Sequence, residues 1–108
     1  MDQLKSRTDY TKALMPDGLL VLEGITNTCP NCKAIAPKID ELMKKYPDAR
    51  FYQYNVDEAE DIAQELGARQ VPSFSVFVDG MIVDGVTGAK PVELERMIGE
   101  NYAGKVVE

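Results

Sequence analysis

The sequence predicts a single α/β domain over residues 1–108, with a mixed central β-sheet and helices on both of its faces. Two observations carry this prediction. Short apolar runs typical of strands alternate with segments of helical periodicity, which favours parallel strands joined by helices. Near the C-terminal end, Asp79-Gly80 separates two strand-like runs and is a two-residue hairpin signal, so the last strand should run antiparallel. The predicted order is β-α-β-α-β-α-β-β-α.

The first elements are predicted from capping and turn residues. A short edge strand over residues 1–5 precedes Ser6, which is a typical N-cap for a helix over residues 7–15. The Pro-Asp-Gly turn at 16–18 ends this helix. The apolar run over residues 18–26 then predicts a strand that is buried on both faces at the centre of the sheet.

The later elements are predicted from hydrophobic periodicity together with turn and capping residues. In chain order they are a long helix over 33–46, a second central strand over 49–56, a short helix from 57 to a C-cap glycine at 67, hairpin strands over 73–78 and 81–85, and a last helix that begins at Pro91.

Composition and charge exclude several classes of protein. The net charge is −6 and the basic residues are scattered, which argues against nucleic-acid binding. No apolar run approaches the roughly 18 residues of a membrane span, so no membrane partner is expected. The N-terminal residues lack the apolar core of a signal peptide, which favours a cytoplasmic location, with a processed secreted chain as the alternative. There is no histidine, so the commonest metal ligand and general base is missing.

The chemistry of the chain centres on Cys29 and Cys32, its only two cysteines, which lie between the buried strand and the long helix. This arrangement puts a thiol at a helix N-terminus, where unpaired amides and the helix dipole favour the Cys29 thiolate. Cys32, one turn further along, is placed to attack a mixed disulfide. The spacing also suits half of a metal site, but a four-ligand site would need the pair of a second chain. We therefore expect redox chemistry.

The segment from Glu23 to Pro37, EGITNTCPNCKAIAP, resembles the active-site stretch of thioredoxins. Further matches follow in the family's order over nearly the whole chain: Asn55-Val56-Asp57, Val71-Pro72-Ser73, the Asp79-Gly80 hairpin and Thr87-Gly88-Ala89. The resemblance implies a thioredoxin fold and a protein-disulfide reductase with Cys29 as nucleophile and Cys32 as resolving cysteine. It implies disulfide-containing protein substrates, a thioredoxin reductase or a glutathione-linked system as electron donor, and no bound organic cofactor.

The chain departs from the family pattern around this motif. Thr28 replaces the usual tryptophan, and Pro30-Asn31 replaces the usual Gly-Pro pair. Glu23 stands where the family has a buried aspartate, and Gln53 where it has the lysine that partners it. The missing tryptophan and the missing lysine motivate a second, alternative function, a binding module that keeps the fold and has reduced redox activity. A metal-bridged dimer through the cysteine pair is the third alternative.

The resemblance also implies roles for residues outside the cysteine pair. Glu23 is a candidate acceptor of the Cys32 proton if it is buried, while a strand-end glutamate that reaches water is the alternative. The Val71–Pro72 peptide bond is expected to be cis and to lie opposite Cys29. The expected substrate-binding residues are Thr28, Pro30, Asn31, Val71, Pro72, Gly88 and Ala89.

Overall fold

The computed structural model describes all residues from 1 to 108 and confirms the predicted order of elements. The elements are β1 (Asp2–Gln3), α1 (Arg7–Leu14), β2 (Leu19–Ile25), α2 (Pro30–Lys45), β3 (Arg50–Asn55), α3 (Glu60–Leu66), β4 (Ser73–Val78), β5 (Met81–Thr87) and α4 (Pro91–Asn101).

All five strands belong to one mixed sheet with the order β1-β3-β2-β4-β5. Strands β1, β3 and β2 pair in parallel, while β4 runs antiparallel to both β2 and β5. Strand β2 is therefore central, with a hydrogen-bonded neighbour on each side, and its residues from 19 to 24 are all buried. A continuous apolar run is what a strand covered on both faces requires.

The two faces of the sheet carry separate hydrophobic cores, each closed by two helices. One core packs β2, β3 and β4 against α2 and α4, through residues that include Val21, Ile35, Leu42, Phe74 and Ile98. The other packs the opposite face against α1 and α3, through residues that include Leu20, Tyr10, Tyr54 and Ile62. None of the helices is both long and apolar enough to cross a bilayer.

Helix boundaries follow side-chain hydrogen bonds that periodicity alone does not reveal. Helix α1 begins where predicted, because the Oγ of Ser6 accepts a hydrogen bond from the amide of Asp9 at 3.1 Å. Helix α3 was predicted to begin at Asp57 and begins three residues later. The Oδ1 of Asn55 accepts the amides of Asp57 and Glu58 at 2.9 and 3.3 Å, and these bonds hold the chain in a turn before the helix starts.

The hairpin of β4 and β5 has the predicted two-residue turn. Asp79 and Gly80 have φ angles of 51° and 83°, and positive φ at both central residues is the geometry of a type I′ turn. Strand β5 continues to Thr87, two residues beyond its predicted end at Gly85, and the hairpin register shifts between Val76 and Phe77. Because of its extra length, β5 ends beside Ser73, at the same end of the sheet as the C-terminus of β2.

Candidate active site

The two cysteines lie at the start of α2 and are joined by a disulfide, with Sγ atoms 2.10 Å apart and Cα atoms 5.2 Å apart. Cys29 is the N-cap residue and has an extended backbone, and Pro30 is the first helical residue. The amide of Cys32 donates a hydrogen bond to the Sγ of Cys29 at 3.0 Å. Because this amide and the helix dipole both favour negative charge at the cap, the position stabilises a thiolate on Cys29 once the disulfide is reduced.

Cys29, the nucleophile predicted from the motif, is the less exposed of the two cysteines. Cys29 is only 4% exposed in the disulfide form, whereas Cys32 is half-buried. Thr28, Pro30 and Asn31, which flank the cysteines, are exposed, as expected for residues that meet a partner. Electrostatics and exposure therefore favour different cysteines as the first to react.

Glu23 is buried, which excludes the alternative of a strand-end glutamate that reaches water. Its side chain lies in the central strand and is 2% exposed. Oε1 accepts a hydrogen bond from the Nε2 of Gln53 at 2.9 Å, and Oε2 has no hydrogen-bond partner. Burial raises the pKa of Glu23 above its ordinary value, and the hydrogen bond from Gln53 opposes this rise in part. A neutral amide thus occupies the place beside this carboxyl group.

An open surface cavity of about 350 Å³ adjoins the cysteine pair. Its walls come from the loop after β2, the first two turns of α2 and the side chain of Gln53. The lining residues are Ile25, Thr26, Asn27, Cys29, Cys32, Lys33, Ala36 and Gln53. Glu23 is not among them and lies behind Gln53, so Gln53 connects the cavity that both cysteines line with the buried carboxyl group.

Asn55 connects the end of β3 to the loop that leads into Cys29. It is 5% exposed and lies beside Ile25, its register partner in β2. Its Nδ2 donates a hydrogen bond to the Oδ1 of Asn27 at 3.0 Å. From the sequence, Asn55 was noted only as a match to the family pattern, and no role was predicted for Asn27. An amide at the C-terminal end of a strand that adjoins the cysteine strand is the signal that could have identified this contact.

The Val71–Pro72 peptide bond is cis, which confirms the predicted isomer. Pro72 is buried, and its carbonyl accepts a hydrogen bond from the amide of Gly88 at 2.7 Å. This bond brings two predicted substrate-binding segments together, because it joins the residues just before β4 to those just after β5. Val71, Gly88 and Ala89 are each half-buried beside it.

The structure contains no group of three or more His, Cys, Asp or Glu side chains arranged to hold a metal ion. A Cys-x-x-Cys disulfide at the start of a helix that follows the central strand of a mixed sheet is the arrangement of a thiol-disulfide oxidoreductase.

Comparison with known proteins agrees with this class. The family model described as thioredoxin matches residues 3–100. The chain is 37% identical to thioredoxin-2 of Saccharomyces cerevisiae over 100 residues, covering 92% of this chain and 96% of the yeast protein. It is 36% identical over 99 residues to thioredoxin-2 of Pyricularia oryzae, where it spans 92% of this chain and only 58% of the fungal protein.

Solved structures agree with the fold. The oxidized form of mitochondrial thioredoxin 3 from Saccharomyces cerevisiae aligns with a TM-score of 0.89 at 31% identity, covering 93% of this chain and 94% of the yeast chain. A thioredoxin from Nicotiana alata aligns with a TM-score of 0.86 at 30% identity, covering 94% and 92% of the two chains. The chain belongs to the thioredoxin family and is a protein-disulfide oxidoreductase.

Proposed function

We propose that the protein reduces protein disulfides by a dithiol–disulfide cycle in which Cys29 is the nucleophile and Cys32 the resolving cysteine. The observation that carries this assignment is the hydrogen bond from the Cys32 amide to the Cys29 Sγ at the helix N-cap. Exposure alone would favour Cys32. Because the attacking species is the thiolate, the cysteine whose charge the helix stabilises reacts first.

The cycle balances as two exchange steps. The Cys29 thiolate attacks one sulfur of the substrate disulfide, which forms a mixed disulfide and releases the first substrate thiolate. Cys32 loses its proton and attacks the Cys29 sulfur, which forms the Cys29–Cys32 disulfide and releases the second substrate thiolate. Two electrons pass to the substrate. A thioredoxin reductase or a glutathione-linked donor returns two electrons and regenerates the dithiol.

We assign the acceptor of the Cys32 proton to Glu23. Its carboxylate form must be present for this step, and its raised pKa brings it closer to that of a thiol than an exposed glutamate would be. The cavity of about 350 Å³ is large enough for water between Cys32 and Gln53, and Gln53 is bonded to the carboxyl group. In this proposal water in the cavity carries the Cys32 proton toward the carboxyl group, while the Gln53 amide, which donates to Oε1, holds that group in place and does not relay the proton.

The substrate main chain is proposed to dock on the surface around the disulfide. The exposed residues of this surface are Thr28, Pro30 and Asn31 on α2 and the loop before it. The cis Val71–Pro72 bond and the Gly88–Ala89 segment, joined through the Gly88 amide, supply the remainder. We place this activity in the cytoplasm, where a reducing glutathione and thioredoxin pool keeps most thiols reduced. Residues 1–108 act as one domain in this proposal.

Insulin reduction and intermediate trapping test the assignment together. Cys29→Ser should abolish insulin reduction, because no thiolate remains at the helix cap. Cys32→Ser should still attack and should accumulate a mixed disulfide through Cys29, visible by mass spectrometry. The reverse pattern, with Cys29→Ser trapping substrate on Cys32, would assign the roles by exposure instead and would overturn the proposal.

A further inference from the structure

The short loop between β2 and α2 determines how Cys29 enters the helix. It consists of Thr26, Asn27 and Thr28, between the last residue of β2 and the N-cap. In this loop only the side chain of Asn27 makes a hydrogen bond, and that bond goes to Asn55 at 3.0 Å. The backbone supports the same corner, because the amide of Val56 donates to the carbonyl of Ile25 at 2.9 Å.

The orientation of the Asn55 amide group is fixed by its other partners. Its Oδ1 accepts two backbone amides, those of Asp57 and Glu58, so this end must carry the oxygen. The Nδ2 end then faces Asn27, which must present its own oxygen. Asn55 is only 5% exposed whereas Asn27 is exposed, so the donor end of this bond is sheltered from water.

We infer that the Asn55–Asn27 hydrogen bond holds the loop in the conformation that makes Cys29 the N-cap of α2, and that Asn27 is thereby a positioning residue for Cys29. The inference rests on the proposed role of Cys29 as nucleophile. The cap bond requires the extended backbone that Cys29 has, with φ −110° and ψ 96°, two residues after Asn27. Without the bond to Asn55 the loop adopts other conformations as well, and the Cys32 amide then stabilises the Cys29 thiolate in only some of them.

The charged and titratable groups around this corner are few. Cys32 and Lys33 line the cavity from α2, Glu23 lies behind Gln53 on the strand side, and Asp57 and Glu58 follow Asn55. The test therefore uses substitutions that leave every one of these groups in place.

Asn27→Ala removes the acceptor oxygen and leaves the charge of the site unchanged. The rate of Cys29 alkylation at pH 7, with the site identified by mass spectrometry, should fall by about three- to tenfold, the range that corresponds to one net hydrogen bond. The pH profile of alkylation should move to higher pH. The equilibrium constant against glutathione should shift toward the disulfide by a similar factor. Thr11→Ala, at an exposed position of α1 that is outside the site and makes no side-chain hydrogen bond, is the control and should leave all three unchanged.

A second variant separates the bond from general loosening of the loop. In Asn55→Ser the hydroxyl can still accept the Asp57 amide, as in a serine turn, but is too short to reach Asn27. It should reproduce the effect of Asn27→Ala, and the double variant should add nothing further, since both remove the same bond. Unchanged alkylation and glutathione equilibrium in Asn27→Ala, or strictly additive effects in the double variant, would overturn the inference. None of these measurements needs turnover, so a failure of the proposed catalytic cycle in Cys29→Ser would be recognised separately.

Discussion

Replacing Glu23 with glutamine should change how the stability of the oxidised protein depends on pH. Burial raises the pKa of Glu23 in the native state, so below the ordinary value of 4.5 the carboxyl group is protonated whether the chain is folded or not. Above that value the unfolded chain releases the proton while the native protein keeps it. Stability present at low pH is therefore lost as the pH rises through the native pKa.

The size of the effect follows from this linkage. Across the window between the two pKa values, wild type should lose about 1.36 kcal/mol of unfolding free energy per pH unit relative to Glu23→Gln. Glutamine retains an oxygen for the Gln53 amide, and its second polar end replaces the unpartnered Oε2. The two proteins should therefore be of similar stability at the acid end, and the difference should level off above the native pKa.

Urea denaturation followed by circular dichroism from pH 4 to 8 measures this difference, with the disulfide intact so that no thiol titrates. The difference in unfolding free energy at its plateau, divided by about 1.36 kcal/mol per pH unit, gives the shift of the Glu23 pKa in the native state. Glu58→Gln, at an exposed position, is the matched control for the change in net charge. A difference between wild type and Glu23→Gln that stays flat with pH, or that favours wild type as the pH rises, would refute the assignment of a raised pKa.

Two further predictions concern the cap and the centre of the sheet. Exchanging Pro30-Asn31 for Gly-Pro moves the proline from the first to the second helical position and so removes the backbone N–H of residue 31. In the oxidised structure this N–H makes no hydrogen bond to Cys29, but it is available to the Cys29 thiolate of the reduced protein. The Cys29 pKa should rise, and the potential measured against glutathione should fall by about 30–60 mV, the equivalent of one charged hydrogen bond; equal values in both proteins would contradict this. Gly24→Ala would place a Cβ 2.8 Å from the Oη of the fully buried Tyr54, so it should cost about 1–3 kcal/mol in urea denaturation, and adding Tyr54→Leu should recover part of that loss.

The order and type of the elements could be predicted from the sequence because their signals are local. Ser6 at a helix start, Gly67 in the left-handed conformation at a helix end, and the Asp79-Gly80 hairpin each act within a few residues. The start of α3 was predicted wrongly although its signal is also local. Periodicity extended the helix back to Asp57, whereas the side chain of Asn55 holds this stretch in a turn.

The candidate site could be predicted only where the motif itself supplies the geometry. The position of Cys29 at a helix cap follows from a strand, a Cys-x-x-Cys pair and a helix in that order. The burial of Glu23 does not follow, because it depends on how α2 and α4 cover β2 and on the reach of Gln53 from the neighbouring strand. The bond between Asn27 and Asn55 joins residues 28 apart in sequence, and only the pairing of β2 with β3 brings them together.

The residues of the site lie at the ends of three neighbouring strands, all at the same end of the sheet. The C-terminal ends of β2 and β3 lie side by side, with Ile25 opposite Asn55, and the N-terminal end of the antiparallel β4 adjoins them, with Ser73 opposite Gly24. Every residue assigned a role therefore falls between Glu23 and Ala89. The unit of β1 and α1 supplies no residue of the site and supports it through β3, where the amide of Leu4 donates to the carbonyl of Gln53 at 2.7 Å. A library built for new substrate ranges can therefore leave the first 18 residues unchanged. A library built for heat tolerance can vary the exposed residues of α1 but should keep Gln3 and Leu4, because their strand holds Gln53 in place.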